Sequence, residues 1–449
     1  MKTLVLDGFK VDDNVRAPVM DAVTDELAGR GWKAEVLSSS GLDLEPCTGC
    51  FSCWTKRPGM CFQEDAIHHV CSKIMESDLL MIVCPVTFGG YSSGVKAIMD
   101  RTIGLVSPFF TIVRHEVHHK PRYDRAPALA ALGISSGDCV QCPDIFRTLL
   151  YRNAVNFHSP ALAVDVAGIG DVTDNSLSNM IIGMLDLIGS ARFSELPNRR
   201  ILKEDLAADP FREPLFGTIK ESPGRALLLI GSPKARSTSS SLGQEFMARL
   251  GGRGWETNML RILPHLKKEE KWQELIPELE KADLVALLSP LYVDSLPAPV
   301  TEALERIAAL RKSAAGGRKQ GFMAILNCGF PEAFHNYTGL AIARQFAQEA
   351  GYEWMGGLAL GMGGAIDGKP LADCGRMARN VVKALDLAAA SIDRGEAVPS
   401  QAVDLMVKPF LPRWLYIALG NWGWKRQAKR YGVKDHLYAR PYQEGTGEK

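Results

Sequence analysis

The chain repeats itself. The strand-like run Thr3–Gly8 has a counterpart in Ala226–Gly231, and each opens a pattern of short apolar runs alternating with helical stretches. Four further pairs keep the same order. Gly31-Trp32 matches Gly254-Trp255, Ser77–Gly90 matches Ala282–Ser295, Ala128–Asp138 matches the segment beginning at Phe322, and Val166–Asp171 matches the segment from Gly361. Parallel strands covered on both faces read as near-continuous apolar runs, and strand–helix alternation requires right-handed crossovers. Five strands per half therefore predict an α/β chain with two doubly wound parallel sheets in tandem. Ligand sites in such sheets lie at the carboxyl ends of the strands. The domains are expected at 1–200 and 225–400. Between them a linker at 201–224 carries Pro210, Pro214 and Pro223, which interrupt the apolar periodicity, and a tail follows at 401–449.

The offset between paired segments is 223 at Gly31 and Gly254 but 205 at Ser77 and Ala282, and about 194 further on. The first half thus holds 18 extra residues between its second and third strands, and the most closely spaced cysteines sit there. Composition narrows what they can be. A net charge of +1 excludes broad nucleic-acid or anionic-membrane binding, and 46% hydrophobic with 23% charged residues excludes a disordered chain. No apolar run approaches the ~20 residues of a membrane span. The N-terminus enters a strand without the layout of a signal peptide, so the expected location is cytoplasmic. In that compartment ten cysteines are expected as thiols or metal ligands rather than disulfides.

Cys47, Cys50, Cys53 and Cys61 have the spacing C-x2-C-x2-C-x7-C, the fourth arriving from a turn at Pro58-Gly59. Three thiolates at this spacing wrap one loop around a cubane iron–sulfur cluster. Structural zinc, which more often takes two separated CxxC pairs, is an alternative, and an unmetallated set of thiols is another.

CTGCFSCWTKRPGMC, followed by PVTFGGYSSGVKAIMDR (Pro85–Arg101) and HHKPRYDR (His118–Arg125), resembles the iron–sulfur flavoprotein branch of the NADPH-dependent FMN reductase superfamily. The resemblance covers most of Met1–Val155 and, more weakly, the second half. It implies two flavodoxin-like domains with a helical C-terminal tail, bound FMN, a [4Fe–4S] cluster, and electron transfer between them. FMN in this superfamily commonly lies at a dimer interface, which a fused duplication can reproduce within one chain.

In a flavodoxin-like site the turn after the first strand wraps the flavin phosphate with N–H groups, hydroxyls and a helix N-terminus. The second half supplies Ser232, Lys234, Arg236, Ser237, Thr238, Ser239 and Ser240 there, resembling the family's serine-rich loop. A plain serine-rich helix cap is the structural alternative. The first half has Asp7, Asp12 and Asp13 in the same turn, which would repel a dianion. The two halves are therefore expected to differ, the second holding FMN and the first the cluster and part of the flavin wall. The turns after the third strands, Pro85, Val86, Thr87, Phe88, Gly89 and Gly90 in one half and Pro290, Leu291, Tyr292, Val293 and Asp294 in the other, are placed to flank the isoalloxazine. Phe88 or Tyr292 would stack on it. Asn327 and Gly329, after the fourth strand, are weaker candidates for the same pocket.

Other motifs carry less. His115–His119 matches H-E-x-x-H, but Pro121 follows at once, so a loop near the flavin pocket is expected rather than a zinc-binding helix. Cys139 and Cys142 form a CxxC at a helix start, either incidental thiols, a redox dithiol or a metal half-site, and Cys71, Cys84, Cys328 and Cys374 read as core or incidental residues. The glycines from Gly361 lack the dinucleotide fingerprint. Three of eight tryptophans fall in Arg413–Arg430 beside a basic cluster. Contact with a membrane surface or a partner is one reading; an aromatic helix packed on its own domains or on a second chain is the one expected, its cations able to attract an acidic carrier or the NADPH phosphate.

The function expected is that of an FMN-dependent oxidoreductase passing electrons between an iron–sulfur cluster, FMN and a small-molecule or ferredoxin-like partner, with NAD(P)H a possible donor and a homodimer a possible assembly. No catalytic base is assigned. The alternatives are a cluster-free NAD(P)H:quinone or acceptor reductase and a non-catalytic redox sensor.

Overall fold

A computed structural model describes residues 1–137, 139–173, 176–192, 224–313 and 319–443. The expected linker at 201–224 lies outside them, apart from Gly224. The described residues form two compact units, one of 1–192 with 414–443 and the other of 224–413.

The first unit runs β1 (Lys2–Asp7), α1 (Arg16–Gly29), β2 (Lys33–Ser38), α2 (Ser52–Thr55), α3 (Ile67–Glu76), β3 (Leu79–Pro85) and α4 (Ser93–Arg101). It continues through β4 (Val106–Val113), β5 (Glu116–Pro121), β6 (Ala128–Ser135), α5 (Cys142–Phe157), β7 (Leu162–Gly168) and α6 (Ser176–Gly189). The second runs β8 (Arg225–Ile230), α7 (Thr238–Gly251), β9 (Glu256–Arg261), α8 (Ile262–Leu266), α9 (Glu269–Lys281), β10 (Leu284–Pro290) and α10 (Ala298–Ser313). Then come β11 (Gly321–Asn327), α11 (Tyr337–Glu349), β12 (Glu353–Leu360), α12 (Arg379–Asp393) and α13 (Ser400–Met406), after which α14 (Arg413–Arg430) belongs, from Trp414 on, to the first unit.

Both sheets are parallel, ordered β2-β1-β3-β6-β7 and β9-β8-β10-β11-β12, the doubly wound flavodoxin-like arrangement in tandem with a helical C-terminal region. The central strands are apolar on both faces because helices cover both. Leu228, Ile230, Leu284 and Leu288 are almost wholly buried, each stabilising the fold by about 1.5–3 kcal/mol. The duplication reaches single atoms. A Cβ on Gly8 would stand 2.5 Å from Cys84 Cβ and 2.4 Å from Val95, and one on Gly231 would stand 2.9 Å from Ser289 Cβ and 2.5 Å from Val300. In both halves only glycine lets the chain leave its first strand against the third.

The expected extra residues between the second and third strands are present: Ser38 and Leu79 bound the first connection, Arg261 and Leu284 the second. A departure follows. His115–His119, expected in a loop, lies mostly on β5, which pairs antiparallel with β4 in a hairpin. Arg114 and His115 turn the corner with φ of 51° and 71°, the handedness a two-residue hairpin turn demands. Among the described residues this hairpin has no counterpart in the second unit, and it adds to the first half the residues behind the later fall in offset. Among the described residues no helix is long and apolar enough to cross a membrane.

Candidate cluster and flavin sites

The cysteine segment crosses from β2 towards α3, with Phe51 in the left-handed region (φ 57°) and α2 carrying Cys53 and Trp54. Cys53 is buried, Cys47 and Cys61 half-buried and Cys50 exposed. The four thiols lie close enough to repel one another when ionised. Burial, the Asp100 carboxylate and the neighbouring thiols push Cys47 up to about 12. Burial and the other three cysteines carry Cys53 well above the ordinary thiol range. Cys50 goes the other way: against the effect of burial, hydrogen bonds from Ser52 and Thr48 hold it low. No three of these four sulfurs lie within 4.8 Å of one another, whereas a tetrahedral zinc site brings thiolates to about 3.8 Å.

A buried cation backs this pocket. Arg101, at the end of α4, has a fully buried side chain, and its Nη2 donates to Cys61 Sγ at 3.1 Å. Its Nη1 donates to the Glu45 carbonyl at 3.0 Å and to the Asp65 carboxylate. Against partial burial, Arg101 and the N–H groups of Ile67 and Glu45 hold Asp65 below the ordinary carboxylate range. A second buried pair, Lys96 with Asp100, stands one turn back on α4. The resemblance over Pro85–Arg101 gives these three charges no role. Three ionisable residues within six positions of a buried helix were the available signal.

The C-terminal tail returns to the cysteine segment. Trp424 of α14 meets Phe51 and Trp54 edge-on at 5.4 and 5.2 Å, and the Trp54 indole donates to the carbonyls of Ile103 and Val106. Asn421 Oδ1 accepts the Phe110 N–H at 2.9 Å. Beyond the helix, Pro441 lies where a Cβ on Gly59 would be, 2.6 Å from Pro441 Cδ. Tyr442 Oη is 3.0 Å from His68 Nδ1, and buried Arg122 donates to the carbonyls of Leu437 and Ala439. His119 packs at 4.5 Å on Trp54, so the histidine motif borders the cysteine segment. His118, wholly buried, is held by Asn156 and Glu116.

In the second unit the serine-rich loop joins β8 to α7. Ser237 caps the helix, its Oγ accepting the Ser240 N–H at 3.1 Å and lying 2.9 Å from Ser240 Oγ. Ser232 Oγ accepts the Lys234 N–H, and Arg236 is exposed. Thr238 and Ser239 turn inward: Thr238 Oγ1 donates to the Gly363 carbonyl at 2.7 Å, and Ser239 Oγ accepts from Asn327 Nδ2 at 2.8 Å. Asn327 also donates to the Ser289 carbonyl, so it braces the loop from behind, while Gly329 is exposed.

The turns after the third strands are near-copies. Thr87 and Gly90 exchange two backbone hydrogen bonds, as do Tyr292 and Ser295. Phe88 and Gly89 in one, Val293 and Asp294 in the other, have positive φ. Pro85 and Pro290 end the strands, Val86 N–H bonds to Ile134 and Leu291 N–H to Asn327. A β-branched residue at φ 46° is an outlier, so Val293 holds a strained turn that glycine would hold without cost. The first unit differs at the end of β1: Asp7, wholly buried, accepts from Arg16 Nε at 2.7 Å and from the Phe9 N–H. A carboxylate thus stands where the second unit has Ile230.

Two cysteines depart from expectation. Cys139 and Cys142 are joined in a disulfide, because the CxxC spacing at the start of α5 sets their Cα atoms 5.4 Å apart, inside the bonding range. The other eight are free, with Cys71, Cys84 and Cys328 buried and pushed up to about 12, burial being the main cause in each.

Doubly wound sheets with four neighbouring thiols in one half and a capped hydroxyl loop in the other define a class, and known proteins name it. The profile of the NADPH-dependent FMN reductase family matches residues 1–138 and 225–340, and the chain belongs to that family. An iron–sulfur flavoprotein of Methanocaldococcus jannaschii is 32% identical over 103 residues, 23% of this chain and 52% of that protein. One from Archaeoglobus fulgidus is 29% identical over 102 residues, 23% of this chain and 49% of that protein. The chain thus spans about half the length of these curated relatives. An NAD(P)H:quinone oxidoreductase from Methanothermobacter marburgensis matches 42% of this chain and 97% of its own, at 14% identity and a TM-score of 0.33.

Proposed function

We propose that this chain is a flavin-dependent oxidoreductase in which the first unit ligates an iron–sulfur cluster through Cys47, Cys50, Cys53 and Cys61 and the second binds FMN. The carrying observation is the mutual proximity of those four thiols, one of them (Cys61) held by buried Arg101, on an FMN reductase fold. When bound, the two groups would supply one-electron and two-electron redox chemistry respectively. The chain's own residues bind and tune. Ionised thiolates packed this closely need a compensating cation, and Arg101 offers a fixed positive charge to Cys61.

In the second unit the α7 N-terminus, Lys234 and Arg236 would take the flavin phosphate, with Ser237 and Ser240 presenting hydroxyls at the rim. Thr238, Ser239 and Asn327 would hold the loop in shape rather than touch phosphate. Pro290–Asp294 and Gly329 would border the ring. In the first unit the buried Asp7 carboxylate disfavours a phosphate at the matching place. NAD(P)H or a ferredoxin-like carrier would exchange electrons with the pair, in a cytoplasmic setting.

Two variants separate the assignments. Ser237→Asp should remove flavin and leave iron, and Cys53→Ser should remove iron and leave flavin. Undiminished flavin in the first variant, or iron retained in the second, would refute the corresponding half of the proposal.

A further inference from the structure

One face of α14 is committed to the first unit and the opposite face is not. Trp424 meets Phe51 and Trp54, Asn421 holds the Phe110 N–H, and Ala428 is fully buried in a cluster with Phe109 and Leu437. On the other side Trp414 is 70% exposed, Trp422 58% and Leu419 49%. Lys425, Arg426, Lys429 and Arg430 continue that side, all exposed, with the Arg426 guanidinium 5.2 Å from the Trp422 ring centre. The i+3 and i+4 steps from Trp414 through Ala418 to Trp422, Lys425 and Lys429 keep those side chains on one face, with Leu419, Arg426 and Arg430 along its edge. Between Trp414 and Lys434 the chain has five cations and no carboxylate, in a protein whose overall net charge is only +1.

We propose that this outer face of α14 docks a small acidic electron-carrier protein, an inference that rests on the redox reading above. Exposed tryptophan and arginine, clustered, are the side chains that most often anchor protein interfaces, and a local cationic patch steers an anionic partner to the right place. The place itself is apt. A carrier seated here is separated from the cysteine segment by one helix, about 10 Å across, whose inner Trp424 touches the aromatic residues flanking Cys50 and Cys53. Each productive encounter would oxidise the carrier by one electron and reduce this chain by one. The pattern favours a protein over a lipid surface. A helix lying in a membrane carries an apolar stripe along its whole length, flanked by cations, whereas here the apolar half (414–422) and the cationic half (425–430) follow one another end to end.

The test uses the full-length chain and an acidic plant-type [2Fe–2S] ferredoxin as probe. The variant is Lys425→Gln, Arg426→Gln, Lys429→Gln and Arg430→Gln combined, with Trp422→Ala alone as a second. Wild type should bind the ferredoxin with a Kd that rises steeply between 50 and 200 mM salt. The charge variant should bind at least about tenfold more weakly at low salt with a flattened salt dependence, and Trp422→Ala should weaken binding while keeping the salt slope. Iron and flavin contents should be unchanged in both. Wild-type binding that is absent, or equal in all three proteins, overturns the proposal. So does ferredoxin binding that survives the substitutions while co-sedimentation with phosphatidylglycerol vesicles is lost, which would assign the face to a membrane. If docking behaves as expected but the protein holds neither iron nor flavin, the redox reading fails and the docking surface stands.

Discussion

Replacing Arg101 with methionine keeps most of the side-chain volume and removes the charge behind the cysteine pocket. The guanidinium is fully buried and has four recorded partners: Asp65, the Glu45 and Gln63 carbonyls and Cys61 Sγ. Breaking a buried ion pair from one side costs about 3–5 kcal/mol, because the remaining charge is stranded. Asp65 keeps two donors, the N–H groups of Glu45 at 3.1 Å and Ile67 at 3.2 Å, so the lower end, about 3 kcal/mol, is expected. At roughly 2–4 °C per kcal/mol for a unit of this size, the first-unit transition of iron-free protein should fall by about 6–12 °C in calorimetry at pH 7.

The pH dependence has a definite sign. The Asp65 carboxyl is held low in the folded state, so its contribution is present above the unfolded value of about 3.9 and is lost as pH falls through the lower folded value. The gap between wild type and variant should therefore be full at pH 7 and narrow below about pH 4. Arg101→Lys, which keeps a charge but not the fork, should recover part of it. A melting temperature within 1 °C of wild type at pH 7, or a gap that widens in acid, would refute the role given to this residue.

Three further outcomes are expected. Val293→Gly should raise second-unit stability by about 1 kcal/mol, since relief of a β-branched residue at positive φ outweighs the entropy of a new glycine; a lower melting temperature would count against strain there. Asn327→Ala should leave Ser239 and the Ser289 carbonyl without their shared donor, costing about 1–3 kcal/mol and loosening the serine loop, read as lost thermal stability together with weaker FMN binding by fluorescence quenching. Deleting residues 433–449 removes the carbonyls that take up Arg122 and the Pro441 contact on Gly59, so reconstituted iron should be lost to a chelator faster than from the full chain. Equal release rates would show that the strap does not protect the pocket.

The doubly wound halves were legible because buried parallel strands leave long apolar runs, and the order of five matched segments carries the topology. The cysteine insertion showed as a change in offset. The hairpin did not, because Val106–Val113 is apolar without alternation and the histidine motif distracted from the strand it occupies. The return of the tail was equally hidden. His68 and Tyr442 meet across 374 residues, and no local periodicity encodes such a contact. At the serine loop the sequence offers a run of hydroxyls, but which of them turn inward depends on Asn327 and Gly363, contributed by other strands and loops. Asp7 was seen as a charge against phosphate. Its burial against Arg16 emerges only once α1 is folded over β1.

The most direct test of the central claim is the metal, sulfide and flavin content of the full chain purified without oxygen, read with its electron paramagnetic resonance spectrum after reduction. The account expects brown protein with about four iron and four sulfide per chain, a reduced-cluster signal, and one FMN. Yellow protein with flavin but no iron, zinc in place of iron, or colourless protein that stays colourless with added FMN would contradict it.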